Sequence, residues 1–340
     1  MYRLRFLTFT LLTTTLISVF SCSKEDDIIQ TVSLSDEIPY GTIGTGKILF
    51  NRNYDYYLID SEEQCVSELR IETIGNNCVI SPNGEMIAYA DYSDILHIVN
   101  IDGSVYAEQS YTKQCFSKIS WSKDSKRIIY FDQCYGDPEN LYELNVEEPC
   151  CTNRLIRTFG RSNVIYGISS PFSLSVNNDM VFYAITNEEF QQSGIYTMNK
   201  DGEDLKCIYT DDSVGVYFQN PYSHKSYSSP AWSPTDDRIA FASNTSGDLQ
   251  NSSEIILIDP DGNNAETLVK FDEQSVNEGL NSISSICWSP DGTKIAFSIS
   301  DEIFNQQSIS HIYMIELITR EITQLTFEEG MSDTGISWSE

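Results

Sequence analysis

Positive charge is scarce in this sequence. Its 340 residues include 21 Lys and Arg against 50 Asp and Glu, which gives a formal net charge of −29. Nucleic acids and anionic membrane surfaces repel a chain of this charge, so neither is expected as a partner. The simplest interpretation of the acidity is a well-solvated exterior.

Sequence signals for metal or nucleophile chemistry are also missing. The three histidines are scattered and no Cys-x-x-Cys pair occurs, so we predict no metal site and no cofactor. The Gly-x-Ser-x-Gly motif of serine hydrolases is absent, and we predict no catalytic residue. No long segment has capped apolar residues at helical spacing, which excludes a largely helical fold.

What the chain does contain is a repeated box. Its clearest copy is residues 286–297, Ile-Cys-Trp-Ser-Pro-Asp-Gly-Thr-Lys-Ile-Ala-Phe, which predicts a strand, a tight turn and a second strand. Six copies share a serine, at Ser81, Ser122, Ser175, Ser233, Ser289 and Ser339. A second strand pair follows most copies, for example residues 195–202, Ile-Tyr-Thr-Met-Asn-Lys-Asp-Gly. Repeats of four short strands, named A to D here, at roughly 40 to 60 residues are typical of β-propeller blades.

These boxes resemble the repeat of TolB-type propellers. The resemblance implies an all-β, six-bladed propeller of four-stranded antiparallel blades over residues 46–340. It indicates the fold more strongly than the function, because such propellers have many roles. The sixth copy is split between the two ends of the propeller segment, at 336–339 and 46–50. We therefore predict that the C-terminal strand (335–340) pairs with the N-terminal strand (46–51) and leaves no open edge.

The N-terminal residues have the features of a lipoprotein signal. Residues 1–22 combine Arg3 and Arg5 with an apolar run of about fifteen residues, which is shorter than a membrane span, and end in Ser21-Cys22. We predict that Cys22 carries the lipid, with an ordinary signal peptide as the alternative. Residues 23–45 are predicted to be a flexible acidic and polar tether.

The start of that tether suggests a location. Residues 24–27, Lys-Glu-Asp-Asp, resemble the surface-export signal of Bacteroidetes lipoproteins. The expected location is the outer membrane, lipid-anchored and facing the cell surface, with a periplasm-facing lipoprotein as the alternative. We expect a monomer that contacts the membrane only through its lipid. An exported chain can form disulfides, but the eight cysteines after Cys22 allow 105 pairings; a buried free thiol is expected at Cys287.

The order of strands in each blade separates two faces of the propeller. The A–B and C–D turns lie on one face, here called the turn face, and are short. The B–C loops and the connections from D to the next A lie on the other, here called the connection face, and contain nearly all the long insertions. Function concentrates on loops held by a rigid scaffold, so we predict a ligand site on the connection face.

The richest segment of that face is 209–229. Its candidate ligand-binding residues are Tyr217, Phe218, Tyr222, His224 and Tyr227. Aromatic side chains among amides and hydroxyls suit a protein or glycan ligand. The alternative is that these aromatics form a small core of their own.

Three functions are compatible with this pattern. The leading prediction is a non-enzymatic outer-membrane lipoprotein that binds a protein or glycan through the connection face. The alternative is a carbohydrate-active enzyme, a polysaccharide lyase or a glycoside hydrolase, with its site at the tunnel mouth. Against it, the segments predicted as A strands contain no Asp or Glu to form a carboxylate pair. The third is a periplasmic assembly scaffold.

Overall fold

The protein is described from a computed structural model. The described residues are 29–32, 38–69, 71, 78–91, 93, 95–110, 116–132, 138–148, 153–161, 171–185, 193–210, 223–247, 252–272, 282–304 and 307–340. Within them lie 25 strands and one four-residue helix, α1 (Tyr40–Ile43). No helix among these residues is long and apolar enough to cross a membrane.

The strands form six antiparallel sheets, which are the blades. Blade 1 contains β1 (Ile29–Val32), β2 (Lys47–Arg52), β3 (Asp55–Asp60), β4 (Cys65–Leu69) and β25 (Asp333–Ser339). Blade 2 contains β5 (Cys78–Ile80), β6 (Met86–Ala90), β7 (Ile95–Asn100) and β8 (Val105–Ser110). Blade 3 contains β9 (Phe116–Trp121), β10 (Arg127–Asp132), β11 (Pro138–Asn145) and β12 (Arg154–Arg161).

The other three blades follow in chain order. Blade 4 contains β13 (Ser173–Leu174), β14 (Met180–Ala184), β15 (Gly194–Met198) and β16 (Lys206–Tyr209). Blade 5 contains β17 (Ser223–Trp232), β18 (Ile239–Gly247), β19 (Ser252–Ile258) and β20 (Glu266–Asp272). Blade 6 contains β21 (Ile283–Trp288), β22 (Lys294–Phe304), β23 (Gln307–Glu316) and β24 (Ile322–Gln324).

The blades close into a ring. Each A strand contacts the A strand of the next blade, from β25 through β5, β9, β13, β17 and β21 and back to β25. The prediction of a six-bladed propeller is therefore confirmed. Blade 1 takes its A strand, β25, from the C-terminal end of the chain and its B strand, β2, from near the N-terminal end. Their register runs from Lys47 opposite Ser339 to Arg52 opposite Asp333, as the split repeat predicted.

A buried ion pair fastens this closure. The Arg52 guanidinium donates two hydrogen bonds to the Asp333 carboxylate, at 2.6 Å from Nε and 2.8 Å from Nη2. The two side chains are only 4% and 0% exposed. Planar fork-to-carboxylate pairing is the strong form of a charged hydrogen bond, and it ties the two end strands of the propeller together.

The repeated serine has a structural role in the A–B turn. In the turn of blade 6, the Ser289 hydroxyl accepts a hydrogen bond from the Lys294 N–H at 2.9 Å and donates one to Asp291 at 2.6 Å. Ser81 and Ser122 accept the same bond from the residue five positions later. A buried hydroxyl that satisfies the turn backbone explains why the serine recurs.

Two of the repeated tryptophans link neighbouring blades. The indole N–H of Trp288 donates to the carbonyl of Ala231 in blade 5 at 2.9 Å, and that of Trp121 donates to Val79 in blade 2 at 3.2 Å. The equivalent Trp338, at the seam of the ring, has a buried Nε1 with no hydrogen-bond partner among the described residues. The contact between blades 6 and 1 therefore lacks, among the described residues, a bond that two other blade contacts have.

Part of the predicted tether lies against the propeller. Strand β1 adds a fifth strand to the outer edge of blade 1 by pairing with β4. Ile38 and Ile43 are buried in the apolar core between blades 1 and 6. Contacts between the chain and the propeller therefore begin before residue 46, because apolar side chains within 23–45 are buried in this core.

Strands extend into two of the long insertions expected on the connection face, 244–253 and 300–310. Strands β22 and β23 stay paired out to Phe304 opposite Gln307, and β18 and β19 out to Thr245 opposite Ser252. Strand β17 likewise begins at Ser223, inside the segment 209–229 that was predicted to be a loop.

Candidate binding face

The strand ends at Arg52, Asp55 and Asp333 lie together on the connection face in blade 1. The B–C turn of this blade is residues 53–54, and the connection from β24 to β25 is residues 325–332. Both segments belong to the connection face, which the sequence predicts to be functional.

Hydrogen bonds join the two segments. The Asn53 N–H donates to the Ser332 carbonyl at 3.2 Å, and the Ser332 N–H donates to the Asn53 side-chain oxygen at 3.1 Å. The Asn53 amide nitrogen also lies 2.9 Å from the Met331 sulfur. The turn and the connection therefore form one fixed unit.

Tyr54 is the most unusual residue of this unit. Its φ is +81°, a value that side chains other than glycine rarely adopt, and its side chain is 83% exposed. The Asn51 side-chain oxygen accepts its N–H at 3.1 Å and helps to hold this conformation. Positive φ at both Asn53 (+49°) and Tyr54 is what a two-residue hairpin turn between β2 and β3 requires, so the backbone conformation belongs to the fold. Glycine or asparagine is the usual residue at such a position, and the exposed tyrosine ring makes no evident contribution to the turn.

Two further large apolar side chains are exposed on the same unit. Phe327 is 43% exposed and Met331 is 38% exposed. Together with Tyr54 they form what we call the blade 1 patch. Scattered apolar residues are normal on a surface, but a group of them on one rigid unit is typical of an interaction site.

The surroundings of the patch are acidic. Beneath it, the Arg52 charge is balanced by Asp333 and, at 3.5 Å, by Glu328. Asp55 and Glu329 are exposed beside it. The face thus offers an apolar centre with a carboxylate rim, which favours a neutral or cationic ligand over an anionic one.

Two pairs of titratable side chains lie near the connection-face ends of their blades. Nε2 of His97 is 2.9 Å from the Asp91 carboxylate, and its ring stacks on Tyr89. The Lys118 ammonium is 3.5 Å from Glu139, and burial lowers the pKa of this lysine although Glu139 opposes the shift. Among the described residues, no three His, Cys, Asp or Glu side chains come together in a group that could hold a metal ion.

The structure describes two of the five residues that the sequence predicts to bind a ligand. Tyr217, Phe218 and Tyr222, like Cys22, lie outside the described residues. His224 is in β17, opposite Ser246. Tyr227 is only 2% exposed and packs edge-on against Tyr183 and Phe241. Tyr227 therefore belongs to the core between blades 4 and 5 rather than to a separate core of segment 209–229, and its ring is not available to a surface ligand.

The thiols that the structure describes do not form a reactive site. Cys78, Cys207 and Cys287 are free, as expected for Cys287, and burial raises the pKa of the Cys78 and Cys287 thiols. A thiol that stays protonated is a poor nucleophile. Cys65 is in a disulfide.

Comparison with known proteins identifies the fold class. No protein-family model matches the chain, and no curated protein matches its sequence. Among solved structures, a protein assigned as TolB from Agrobacterium tumefaciens superposes with a TM-score of 0.55 at 15% identity, over 83% of this chain and 88% of that one. An oligogalacturonate lyase from Vibrio parahaemolyticus superposes with a TM-score of 0.52 at 14% identity, over 88% and 85% of the two chains.

A further oligogalacturonate lyase, solved in complex with manganese, gives a TM-score of 0.52 at 14% identity, over 81% of this chain and 71% of that one. The chain thus shares the six-bladed β-propeller fold of these structures. At these identities the likeness shows a shared fold and no shared activity.

Proposed function

We propose that this protein is a non-enzymatic, lipid-anchored binding module of the outer membrane that engages its ligand through the connection face. The observation that carries the proposal is the blade 1 patch, above all the exposed ring of Tyr54. Lipid attachment at Cys22 and the outer-membrane location rest on the N-terminal sequence alone. A cell-surface position is the preferred form of this proposal.

The alternative of a carbohydrate-active enzyme has weaker support. Two of the compared structures are oligogalacturonate lyases, but their identity to this chain is 14%. The titratable pairs near the connection face, His97 with Asp91 and Lys118 with Glu139, lie in different blades. A lysine ammonium does not ligate a metal ion, and in the described part of the chain no third His, Cys, Asp or Glu joins His97 and Asp91 in a group that could hold one.

The test is a comparison of two surface variants in the cells that make the protein. The first changes the blade 1 patch, with Tyr54→Ser, Phe327→Ser and Met331→Ser. The second is a matched control on the turn face, with Val105→Ser, Val176→Ser and Ile318→Ser, whose side chains are 58%, 56% and 85% exposed. Intact cells are cross-linked, and the tagged protein is purified and analysed by mass spectrometry.

We expect a reproducible partner that the first variant loses by at least tenfold and the control retains. Equal recovery with both variants would reject the connection face as the binding face. A parallel incubation of the purified protein with oligogalacturonate and other acidic polysaccharides should give no cleavage. Turnover that survives purification would overturn the non-enzymatic part of the proposal.

A further inference from the structure

Strand β1 determines where the N-terminal segment leaves the propeller. It pairs antiparallel with β4, with Ile29 opposite Leu69 and Val32 opposite Val66. Leu69 also lies opposite Tyr56, at the end of the blade that carries the B–C turn. The chain therefore enters blade 1 at the connection face and runs toward the turn face.

The chain on the other side of β1 is fixed at the opposite end of the blade. The Gly46 carbonyl accepts hydrogen bonds from the backbone and the hydroxyl of Ser61, in the C–D turn. A Cβ placed on Gly44 would lie 3.7 Å from the ammonium of Lys294, where the A–B turn of blade 6 ends. Without β1, the N-terminal segment would leave the propeller from the turn-face end.

The length of chain before β1 limits how far the anchor can lie from that exit. Ile29 follows Cys22 by seven residue steps, which span at most about 25 Å when fully extended. From Cys22 to Ile38, where the chain leaves without β1, the limit is about 55 Å for sixteen residues. Pairing of β1 therefore both shortens the connection to the anchor and changes the face that lies next to it.

The blade 1 patch lies close to this exit. Ile29, Leu69 and Tyr56 are in register on three adjacent strands, which places the exit about 10 Å from β3. Tyr54 precedes Tyr56 by two residues, in the turn that leads into β3. The anchor and the patch therefore leave the protein from the same corner.

We propose that β1 turns the connection face toward the membrane that holds the Cys22 lipid, and that the blade 1 patch binds a protein embedded in that membrane. This inference rests on the proposed lipid attachment and gives the proposed binding face a partner class. A soluble glycan in the medium fits this geometry poorly, because the patch faces the membrane.

The charge around the patch favours a protein partner over the lipid itself. Asp55 and Glu329 are exposed beside the patch, and Glu328 is partly exposed. Burying carboxylates in an anionic or apolar lipid layer costs several kcal/mol for each group unless it is paired, whereas a protein can place Lys or Arg opposite them. The expected partner surface is therefore an apolar site with basic residues at its rim.

The orientation is tested on the full-length lipidated protein in vesicles of phosphatidylethanolamine and phosphatidylglycerol that contain an acceptor lipid dye. A fluorescent amino acid replaces either Tyr54 or Ile318, which are 83% and 85% exposed on opposite faces. The strands between the faces span about 20 Å. We expect energy transfer to the lipid dye to be at least about twofold more efficient from position 54.

A variant that disrupts β1 tests whether the difference in energy transfer between positions 54 and 318 depends on this strand. In Gln30→Pro with Thr31→Pro, β1 cannot present its backbone N–H groups to β4, and we expect the difference to disappear or reverse. The matched control, Ser33→Pro with Ser35→Pro, places the same substitutions outside β1 and should keep the difference. A flexible insertion of twenty Gly and Ser residues between Cys22 and Ile29 should also remove it, with β1 left intact.

The partner class is tested by photo-cross-linking in intact cells from positions 54 and 318. The expected result is a cross-link to an integral membrane protein from position 54 that position 318 does not give and that the Gln30→Pro, Thr31→Pro variant reduces at least fivefold. A cross-link from position 54 to lipid alone would overturn the protein partner. A cross-link to a soluble protein would overturn the membrane-facing geometry.

Failure of this inference can be told from failure of the proposed function. Mass spectrometry of the purified protein reports whether Cys22 is lipidated. An unmodified Cys22 would reject the proposed anchor. A lipidated Cys22 with equal energy transfer from both positions would reject only the orientation given by β1.

Discussion

The turn face and the connection face are built from the same strands, but they differ in how far their residues repeat from blade to blade. On the turn face, Ser81, Ser122 and Ser289 make the same hydrogen bond in three blades. On the connection face of blade 1, Asn53 and Tyr54 form a unit whose contacts are its own. The residues that recur from blade to blade stabilise the fold. The residues that do not recur are not required by every blade and can instead contact a ligand.

One pair of residues on the connection face has a structural role. Arg52 and Asp333 lie at the connection-face end of blade 1, yet their buried ion pair closes the ring. Residues on this face can therefore be structural as well. The predictions below separate the two roles, from the largest expected effect to the smallest.

Loss of the ring closure should have the largest effect. Arg52→Met leaves the Asp333 carboxylate buried without its partner, which should lower the free energy of unfolding by about 3–5 kcal/mol. Chemical denaturation at pH 7 measures this change. The double variant Arg52→Met with Asp333→Leu should recover most of the loss, since no unpaired charge then remains.

A turn-face ion pair provides the matched control for that prediction. Arg238 lies 3.3 Å from Glu266, with side chains 30% and 47% exposed. Arg238→Met should cost less than about 1 kcal/mol, because water screens an exposed pair. Similar losses for Arg52→Met and Arg238→Met would show that the closure contributes no more than a surface pair.

The sequence predicted the features that repeat and missed the features that do not. The serine box gave the blade count, and the split between Trp338-Ser339 and Lys47-Ile48 gave the closure, because pairing rules act on every blade alike. It could not give the blade 1 patch, since the exposure of Tyr54 depends on how Asn53 contacts Ser332 across 279 residues. The prediction of a ligand site in 209–229 rested on the aromatic content of that segment. Aromatic content does not distinguish a buried ring, such as that of Tyr227, from an exposed one.

The inter-blade tryptophans should show a smaller effect and test the contact between blades 6 and 1. Trp288→Phe removes the hydrogen bond to the Ala231 carbonyl and should cost about 1–2 kcal/mol more than Trp338→Phe, whose indole N–H is unsatisfied. Thermal and chemical unfolding of the two variants measure the difference. Equal losses would mean that the indole bond contributes nothing beyond the apolar area that both rings bury.

Acid should weaken the turn face. Burial tends to raise the pKa of Asp291, but hydrogen bonds from Ser289 and from the Thr293 N–H outweigh it and lower this pKa below the usual value. A carboxyl whose pKa is lower in the folded state stabilises the fold above its unfolded pKa, near 4, and this contribution is lost as the pH falls through the folded value. Denaturation midpoints at pH 7 and pH 3 should differ less in Asp291→Asn than in the wild type. An unchanged difference would remove Asp291 from the acid response.

Substitution of Tyr54 should give the smallest change in the free energy of unfolding. The sign of that change distinguishes a structural role from a functional one. At φ +81° a tyrosine is strained, whereas glycine is not, so Tyr54→Gly should leave the free energy of unfolding unchanged or raise it by up to about 1 kcal/mol. The same substitution removes the most exposed ring of the blade 1 patch and should abolish partner cross-linking. A residue that improves the fold when it is lost, yet is needed for binding, is retained for its function. Destabilisation by Tyr54→Gly of more than about 1 kcal/mol would instead make Tyr54 part of the blade's own structure, and the contrast between the two faces would then not extend to this turn.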